Sequence, residues 1–312
     1  MNIFESDSVF EHTISQIGST HSQPEVDPHF HIKLMSYNIW NLNPEEDYFT
    51  KMRIISKQIK AINPDVIGFQ EVRFSNIDYP RIRKGIQVEE IARSLPGYQF
   101  VFQAAHSEFP YDLGENPYYT TKEGVAIFSR YPIIHSRYIP LSRNFSDSED
   151  AHQRVCLGVV IKTPGGEISV FSTHFALSAI ARKRNVVELY EFMQSFPKPS
   201  LLVGDFNTEP DTPEIHFLKG HHSLGGFHST LRDAFDHVVH REGLEGDEEA
   251  QLAAGWTYTT LTREPKKRID FVFYSPPLEV TSFLLDNAYQ AGDVVASDHR
   301  PIVATFRIRP SL

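Results

Sequence analysis

The feature that most constrains the fold is a set of short apolar segments that carry a polar side chain at or near one end. In "LLVGDFNTEP" (201–210), an apolar run and a glycine precede Asp205 and Asn207. "ISVFSTH" ends in His174, and "RIDFVF" carries Asp270 near its start. Segments of this length and composition are typical of buried strands. If their ends converge, the polar groups form one pocket at the rim of a core.

Strand and helix patterns alternate along the chain, as in α/β proteins. Helices are predicted over 46–63 and about 87–95, where apolar residues recur at helical spacing until a proline-containing pair. Turn sequences such as Pro164-Gly165-Gly166 favour antiparallel hairpins mixed with crossovers. Strands are predicted over 32–40, 65–72, 98–105, 124–129, 133–138, 154–162, 167–173, 200–204, 269–274, 279–285 and 302–308. So many strands with few helices predict two packed sheets flanked by helices.

The domain organisation is predicted to be simple. Residues 1–30, rich in Ser, His, Glu and Gln, are expected to form a mobile arm, and residues 31–312 a single domain. Residues 106–123 lack periodicity, and residues 240–255 are acidic and contain glycine. Both segments are expected to be insertions that shape a substrate site or decorate the surface. No segment is typical of a membrane span or of the apolar core of a signal peptide.

Cysteine usage and charge narrow the setting of the protein. With Cys156 as the only cysteine, no internal disulfide can form, which favours the cytoplasm or another reducing compartment, although secretion with a removed signal stays open. The net charge of −10 would repel duplex DNA unless a local basic face offset it. Candidates for such a face are Arg81–Lys84, Arg182–Arg184 and Arg263–Arg268, although charge runs are more often solvated surface.

The polar groups suit a hard divalent cation and phosphate chemistry. Carboxylate and amide oxygens are ligands for Mg²⁺ or Mn²⁺, and Glu71 is the natural anchor, with Asp298 and Asn38 as helpers. No cysteine and histidine spacing predicts structural zinc. Each residue alone has a simpler interpretation: Asp205 as a turn former, His174 as a core histidine, Asp270 as an ion-pair partner of Arg268. One shared site explains all of them together.

Six segments also resemble a known family. "SYNIWN", "FQEV", "STHF", "GDFN", "RIDFVF" and "SDHRP", in this order across residues 36–301, are similar to motifs of the endonuclease/exonuclease/phosphatase superfamily, which has the DNase I-like fold. The resemblance covers almost the whole chain after the first thirty residues. It implies an α/β (α+β) four-layer αββα sandwich, with two mixed, largely antiparallel β-sheets between helices, and a catalytic domain over 31–312.

The resemblance also implies roles for individual residues. Glu71 corresponds to the glutamate that binds the metal, with Asn38 and Asp298 in support. Asp205 corresponds to the aspartate that activates the attacking water, and Asp270 to the carboxylate that orients a histidine. The remaining residues, Asn207, His299 and Arg154, are expected to contact the phosphate. Arg154 stands where DNase I-like members carry a phosphate-binding arginine.

Two positions bear on the subfamily. His174 matches an additional histidine of DNase I-like enzymes and sphingomyelinases, a candidate acid for the leaving group. Trp40 stands where abasic-site endonucleases carry an aspartate, which disfavours abasic-site repair.

The expected activity is Mg²⁺- or Mn²⁺-dependent hydrolysis of phosphate esters by in-line attack of water. A phosphodiesterase or nuclease ranks first, a small-molecule or inositol-type phosphatase second and a sphingomyelinase-like lipid phosphodiesterase third. A catalytically silent binding module is the alternative outside enzymes. The partner expected is a phosphate-ester substrate, with nucleic acid as one candidate. Stable membrane insertion and an obligate protein partner are not indicated, so a monomer is expected.

Overall fold

A computed structural model of the chain describes residues 27–308 except 28, 41–47, 77–83, 109–120, 244, 246, 248–253, 262–266, 288–289 and 292–293. The helices are α1 (Tyr48–Ile62), α2 (Gln87–Ser94), α3 (Ala179–Gln194), α4 (Pro213–Leu218) and α5 (Asp236–Glu242). The longer strands are β1 (His31–Asn38), β2 (Val66–Ser75), β4 (Gln99–Glu108), β5 (Thr121–Ser129), β6 (Ile133–Leu141), β7 (Arg154–Thr163), β8 (Gly166–His174), β9 (Ser200–Asp205), β13 (Asp270–Tyr274), β14 (Leu278–Leu285) and β17 (Ile302–Ile308). Two-residue strands are β3 (Gly85–Ile86), β10 (Ser223–Leu224), β11 (Phe227–His228), β12 (Arg232–Asp233), β15 (Gln290–Ala291) and β16 (Val294–Val295).

Two mixed sheets form the centre of the molecule. The first has the strand order β14-β17-β1-β2-β5-β4, with β3 pairing with β2. The second has the order β12-β13-β9-β8-β7-β6. Each sheet contains one parallel pair, β1 with β2 and β8 with β9, and α1 and α3 make the crossovers between those strands. All other pairs in the two sheets are antiparallel, as a mixture of hairpins and crossovers requires.

Three apolar clusters separate four layers. One lies between the sheets and includes Leu34 of β1 and Val203 of β9. A second packs α1 and α2 on the outer face of the first sheet, and a third packs α3 and α4 on the outer face of the second. Because side chains alternate between the faces of a strand, β1 and β9 each supply both an inner and an outer cluster. The predicted four-layer αββα sandwich is confirmed.

Several elements differ from the sequence-based prediction. The helix predicted over 46–63 is α1, whose described part begins at Tyr48, and no helix was predicted at α3, α4 or α5. In α3 the basic run 182–184 interrupts the apolar pattern, although Ser178 caps the helix by accepting a hydrogen bond from the Ala181 N–H. The predicted arm over 1–30 and the insertion over 106–123 lie mostly outside the described residues.

Two further expectations concern the environment of the chain. Cys156 is a free thiol and is fully buried, so it takes no part in a disulfide. Among the helices of the described residues, none combines the length and the apolar character needed to cross a bilayer.

The close approach of the two sheets depends on Gly68 of β2. A Cβ at this position would lie 2.2 Å from Val203 Cγ2 and 3.3 Å from Ser172 Oγ of the opposite sheet. No other residue therefore fits without moving one sheet away from the other.

We expect Gly68→Ala to lower the free energy of unfolding by about 1–3 kcal/mol, because the added methyl group overpacks the space between the sheets. Chemical denaturation measures this cost. In a Val203→Ala background the atom that meets the new methyl group is gone, so the same change should cost less. An equal cost in both backgrounds would contradict the assigned contact.

Candidate active site

Asp205 lies between two other polar residues in the second sheet. In the strand register, Asp270 of β13 is its antiparallel partner and His174 of β8 is its parallel partner. Alternation along β9 puts Asp205 on the same face as Leu201 and Val203, the face that packs between the sheets. Strand pairing thus places two carboxylates and an imidazole side by side at one end of the core.

The first sheet contributes Asn38, the last residue of β1. Its Nδ2 atom donates to Glu71 Oε1 and to Asp205 Oδ2, each at 3.0 Å, and its Oδ1 accepts a hydrogen bond from the Trp40 N–H, also at 3.0 Å. The amide therefore joins two carboxylates across the gap between the sheets. In this orientation the Asn38 nitrogen holds Glu71 and Asp205 in place, while its oxygen accepts from the Trp40 N–H.

Trp40 is held from the outer helical layer. The backbone of Trp40 is in the left-handed region, with φ of 50°. Lys51 of α1, which is fully buried, donates from Nζ to the Trp40 carbonyl. Because Trp40 in turn orients the Asn38 amide, a buried lysine fixes a group that faces the acidic cluster.

Glu71 reaches the inter-sheet face through a β-bulge. The sequence predicted that β2 ends near Glu71, but the strand continues to Ser75, and its register with β5 shifts between Phe69 and Val72. Glu71 has φ of 56°. Bulges bend a strand and redirect a side chain. Because of the bulge, the next residue after Phe69 that packs in the outer cluster is Val72. Glu71 instead lies on the inter-sheet side, beside Asn38.

Asn207 arrives by a turn and not by strand alternation. Asn207 lies beyond the strand, because β9 ends at Asp205 and Asn207 has φ of 48°. The Asn207 N–H donates to Asp205 Oδ1 at 2.8 Å, and Nδ2 donates to the Phe175 carbonyl at 2.9 Å. This turn holds the amide next to the His174 ring, with Nδ2 3.0 Å from Nε2.

His299 is clamped by carboxylates. Its Nδ1 lies 2.8 Å from Asp270 Oδ2, and its Nε2 lies 3.6 Å from Asp205 Oδ2. Burial alone would lower the pKa of His299, but Asp270 and Asp205 outweigh it and raise the pKa to about 10. The ring of Tyr258 lies 4.9 Å from that of His299. The structure thus pairs Asp270 with His299, and not with Arg268, whose carboxylate partner is Asp233.

Asp298 has the character of a cation ligand. Its Oδ1 atom is buried and has no hydrogen-bond partner. Burial, together with the nearby Glu71 carboxylate, raises the pKa of Asp298 to about 6 against the opposing effect of His299. Burial also raises the pKa of Asp205. A buried carboxylate oxygen without a hydrogen-bond partner, close to other carboxylates, fits a divalent cation.

Arg154 and His174 form a pair at the opposite side of the pocket. Arg154 lies with Nη1 2.9 Å from His174 Nδ1 and 3.5 Å from Glu123 Oε1. A guanidinium nitrogen and an amide nitrogen only donate, so Nδ1 of His174 faces one donor and Nε2, which lies 3.0 Å from Asn207 Nδ2, faces another. A neutral ring accepts at only one nitrogen, so these two contacts do not select one tautomer of His174.

All nine sequence-predicted residues meet around one pocket of about 450 Å³. Seven of them line it, and Asn38 and Asp270 contact lining residues. Sequence reasoning assigned no site role to four other polar lining residues, Glu123, His152, Tyr258 and Lys267, although Lys267 lies in one of the proposed basic clusters. Glu123 begins an apolar strand segment and could have been found by the strand-end criterion, whereas Tyr258 belongs to no strand pattern.

Three residues of the basic clusters proposed as a cationic face are engaged in other contacts. Arg182 of α3 lies 3.6 Å from the buried Glu214, and Arg184 lies 3.5 Å from Asp150. Arg268 is buried between the rings of Phe235 and Phe271 and pairs with Asp233. Most of the other clustered basic residues lie outside the described part of the chain.

Known proteins resemble the chain over most of its length. A model described as the Endonuclease/Exonuclease/phosphatase family matches residues 35–299. An uncharacterized Caenorhabditis elegans protein is 24% identical over an alignment of 297 residues, which covers 79% of this chain and 79% of that protein. A solved endonuclease/exonuclease/phosphatase structure from Beutenbergia cavernae has a TM-score of 0.66 at 22% identity, covering 89% of this chain and 72% of that one. The mannosyl-6-phosphatase Bt3783 of Bacteroides thetaiotaomicron has a TM-score of 0.63 at 18% identity, covering 88% and 99%. The likeness to these structures shows the fold.

We expect Asp270→Asn to lower the pKa of His299 well below 10, because the imidazolium loses its closest carboxylate. NMR titration of the His299 ring in the metal-free protein measures this. Asp211→Asn, which removes a fully exposed carboxylate elsewhere, is the control and should leave the pKa unchanged. An unchanged pKa in Asp270→Asn would contradict the assigned clamp.

Proposed function

The chain belongs to the endonuclease/exonuclease/phosphatase family, whose members hydrolyse phosphate esters, and we propose that it is a divalent-metal-dependent phosphodiesterase. The observation that carries the proposal is one pocket in which carboxylates suited to a cation face a protonated histidine and two further donors. Hydrolysis of a phosphate ester needs both a bound cation and hydrogen-bond donors, because the charge on the phosphate and on the leaving oxygen must be neutralised.

Glu71 and Asp298 would hold the metal ion. Both are carboxylates on the acidic side of the pocket, and the buried Asp298 Oδ1 lacks a hydrogen-bond donor. Hard oxygen ligands favour Mg²⁺ or Mn²⁺. The ion would supply Lewis-acid neutralisation of the phosphate charge.

Asp205 is the base in this proposal. Because its pKa is raised toward neutral pH, the Asp205 carboxylate accepts a proton more readily, as a general base requires. The Asn38 amide and the Asn207 N–H hold both carboxylate oxygens in place, so Asp205 can orient a water for in-line attack. No covalent enzyme intermediate is required.

His299, Asn207 and Arg154 bind the phosphate oxygens. His299 is protonated at neutral pH because its pKa is about 10, and Asp270 holds its ring through Nδ1, which leaves Nε2 for the anion. The Asn207 amide and the Arg154 guanidinium supply neutral and charged donors. His174 lines the same pocket beside Arg154 and Asn207, and it is the candidate proton donor to the leaving oxygen.

A small phosphomonoester is the second candidate substrate. Arg182 and Arg268 are engaged in ion pairs, so among the described residues they do not extend the pocket into a track for a long polyanion. The mannosyl-6-phosphatase of Bacteroides thetaiotaomicron has a similar fold. Lys267, which is exposed at the pocket, is one cation available for either substrate class. A lipid phosphodiester and a catalytically silent module rank below these.

One panel assay tests the proposal. The wild-type protein should hydrolyse a chromogenic phosphodiester with Mg²⁺ or Mn²⁺ and lose this activity on chelation. Single- and double-stranded DNA, RNA, sphingomyelin, inositol phosphates and sugar phosphates then rank the substrates. If the protein hydrolyses none of these substrates in the presence of metal, the catalytically silent binding module is favoured.

Single substitutions test the roles. We expect Asp205→Asn and His299→Ala each to lower kcat by at least about 100-fold, since general base and oxyanion stabilisation each contribute on this order. Glu71→Gln should raise the metal concentration needed for half-maximal activity. Glu209→Gln is the control, because Glu209 is exposed and follows β9, the strand that ends in Asp205. Near-normal turnover in both Asp205→Asn and His299→Ala, with thermal unfolding unchanged, would refute the assignment.

A further inference from the structure

Helices α1 and α2 form a cleft of about 480 Å³ on the outer face of the first sheet, which we call the α1–α2 cleft. Its floor contains the buried residues Met52 and Ser56 of α1. Phe49, which is 52% exposed, lies on the α1 side, and Glu90 and Ser94 lie on the α2 side. The residues that line this cleft are different from those that line the active-site pocket.

The α1 rim of the cleft carries three cations in one row. Arg53, Lys57 and Lys60 follow one another at spacings of four and three residues, so they lie on the same side of the helix. All three are exposed, and their side chains form no ion pair or hydrogen bond with another residue in the described part of the chain. The Glu90 carboxylate across the cleft is paired with Arg93. This local positive charge, in a chain of net charge −10, favours an acidic occupant.

The shape of the cleft favours a peptide over a small anion. The row from Arg53 to Lys60 extends about 10 Å along the helix axis, because each residue rises about 1.5 Å. The positive charges are therefore spread along the cleft and not gathered at one end. Met52 and Phe49 add apolar surface beside this row. A segment with several acids and an apolar face matches both features.

The chain itself contains a segment of this chemistry, residues 4–17, which lies outside the described residues. Residues 1–26 include four acidic residues and no lysine or arginine. Phe10, Ile14 and Ile17 recur at helical spacing, as on one face of an amphipathic helix. The segment therefore combines negative charge with an apolar face.

The path of the chain allows this segment to reach the cleft. Lys33 Nζ, near the start of β1, donates to the carbonyl of Ile62 at 3.0 Å, so β1 begins beside the end of α1 that carries Lys60. The described chain starts at Asp27, and residues 18–26 can extend over about 30 Å. A tethered segment has a high effective concentration at a site within its reach. Modest charge complementarity is then sufficient for binding.

We propose that residues 4–17 bind in the α1–α2 cleft of the same chain. Their apolar side chains pack against Met52 and Phe49, and Asp7 and Glu11 face the row of cations. These two acids are four residues apart, the spacing that the first two cations of the row also have. The proposal does not depend on the proposed phosphoesterase activity.

Methionine methyl NMR of the full chain tests the proposal with a spin label in the segment. Met52 lines the cleft, whereas Met193 packs under α3 in the opposite outer layer. Ser8→Cys provides the attachment site for a nitroxide, because the native Cys156 is fully buried. We expect the label to remove the Met52 signal and to leave that of Met193, since a nitroxide broadens only nearby nuclei. Reduction of the nitroxide should restore the Met52 signal.

Charge reversal identifies the contacts that hold the segment. Lys57→Glu together with Lys60→Glu should restore the Met52 signal in the labelled chain. About 1 M salt should also restore it, because the Debye length falls to about 3 Å. Adding Asp7→Lys and Glu11→Lys to the reversed chain should remove the signal again, since opposite charges then face each other once more. The salt series and this charge swap keep the test valid if the first reversal lowers the Tm.

Lys162→Glu together with Lys198→Glu is the matched control. Both lysines are exposed and lie outside the cleft, so the same change in net charge should leave the loss of the Met52 signal as it is. A Met52 signal that the label does not affect, or a loss that persists in the reversed chain, would overturn the proposal.

Two further measurements identify other occupants of the cleft. In a mixture of spin-labelled chain and isotope-labelled chain, loss of the Met52 signal as strong as in the doubly labelled chain would show binding between two copies. A shift of the Met52 signal on addition of phosphatidylserine vesicles, without an effect of the spin label, would assign the cleft to an anionic membrane surface. Either result would overturn binding within one chain.

Discussion

The arrangement of the site depends on one amide that joins the two sheets. Asn38 donates from β1 to Glu71 of its own sheet and to Asp205 of the opposite sheet. Without this donor each carboxylate would lose one hydrogen bond, and burial makes the repulsion between the two carboxylates costly. Trp40 and the buried Lys51 hold the amide from the other side. A contact between sheets thus connects the helical layer to the reacting groups.

Electrostatics explains why a buried cluster of acids can persist and what it can do. Burial raises the pKa of Asp205 and Asp298, whereas carboxylates around His299 keep its imidazole protonated. The protonated His299 therefore neutralises part of the charge of these carboxylates, and the remaining negative charge suits a bound cation. Groups whose pKa values are pushed apart in one pocket are typical of acid–base sites.

The sequence predicted the layers of the fold, and it named nine polar residues that lie together in the structure, because both follow from strand periodicity and from short motifs at strand ends. It did not predict how the backbone positions two of these residues, because there the backbone leaves regular geometry. Glu71 depends on a bulge within β2, and Asn207 on a turn after β9, and neither follows from a period of two. Three of the four non-glycine residues described with positive φ, Trp40, Glu71 and Asn207, are at the site. Strained backbone of this kind concentrates at functional sites.

Sequence alone determined the fold class and the residues with the chemistry for phosphate esters, because side-chain alternation and residue type are local properties. Tertiary structure decided which partners those residues have. Arg268 pairs with Asp233 instead of Asp270, and Glu123 joins Arg154 at the pocket through strands distant in sequence. Pairing of this kind depends on the path of the backbone in space, which residue type does not specify.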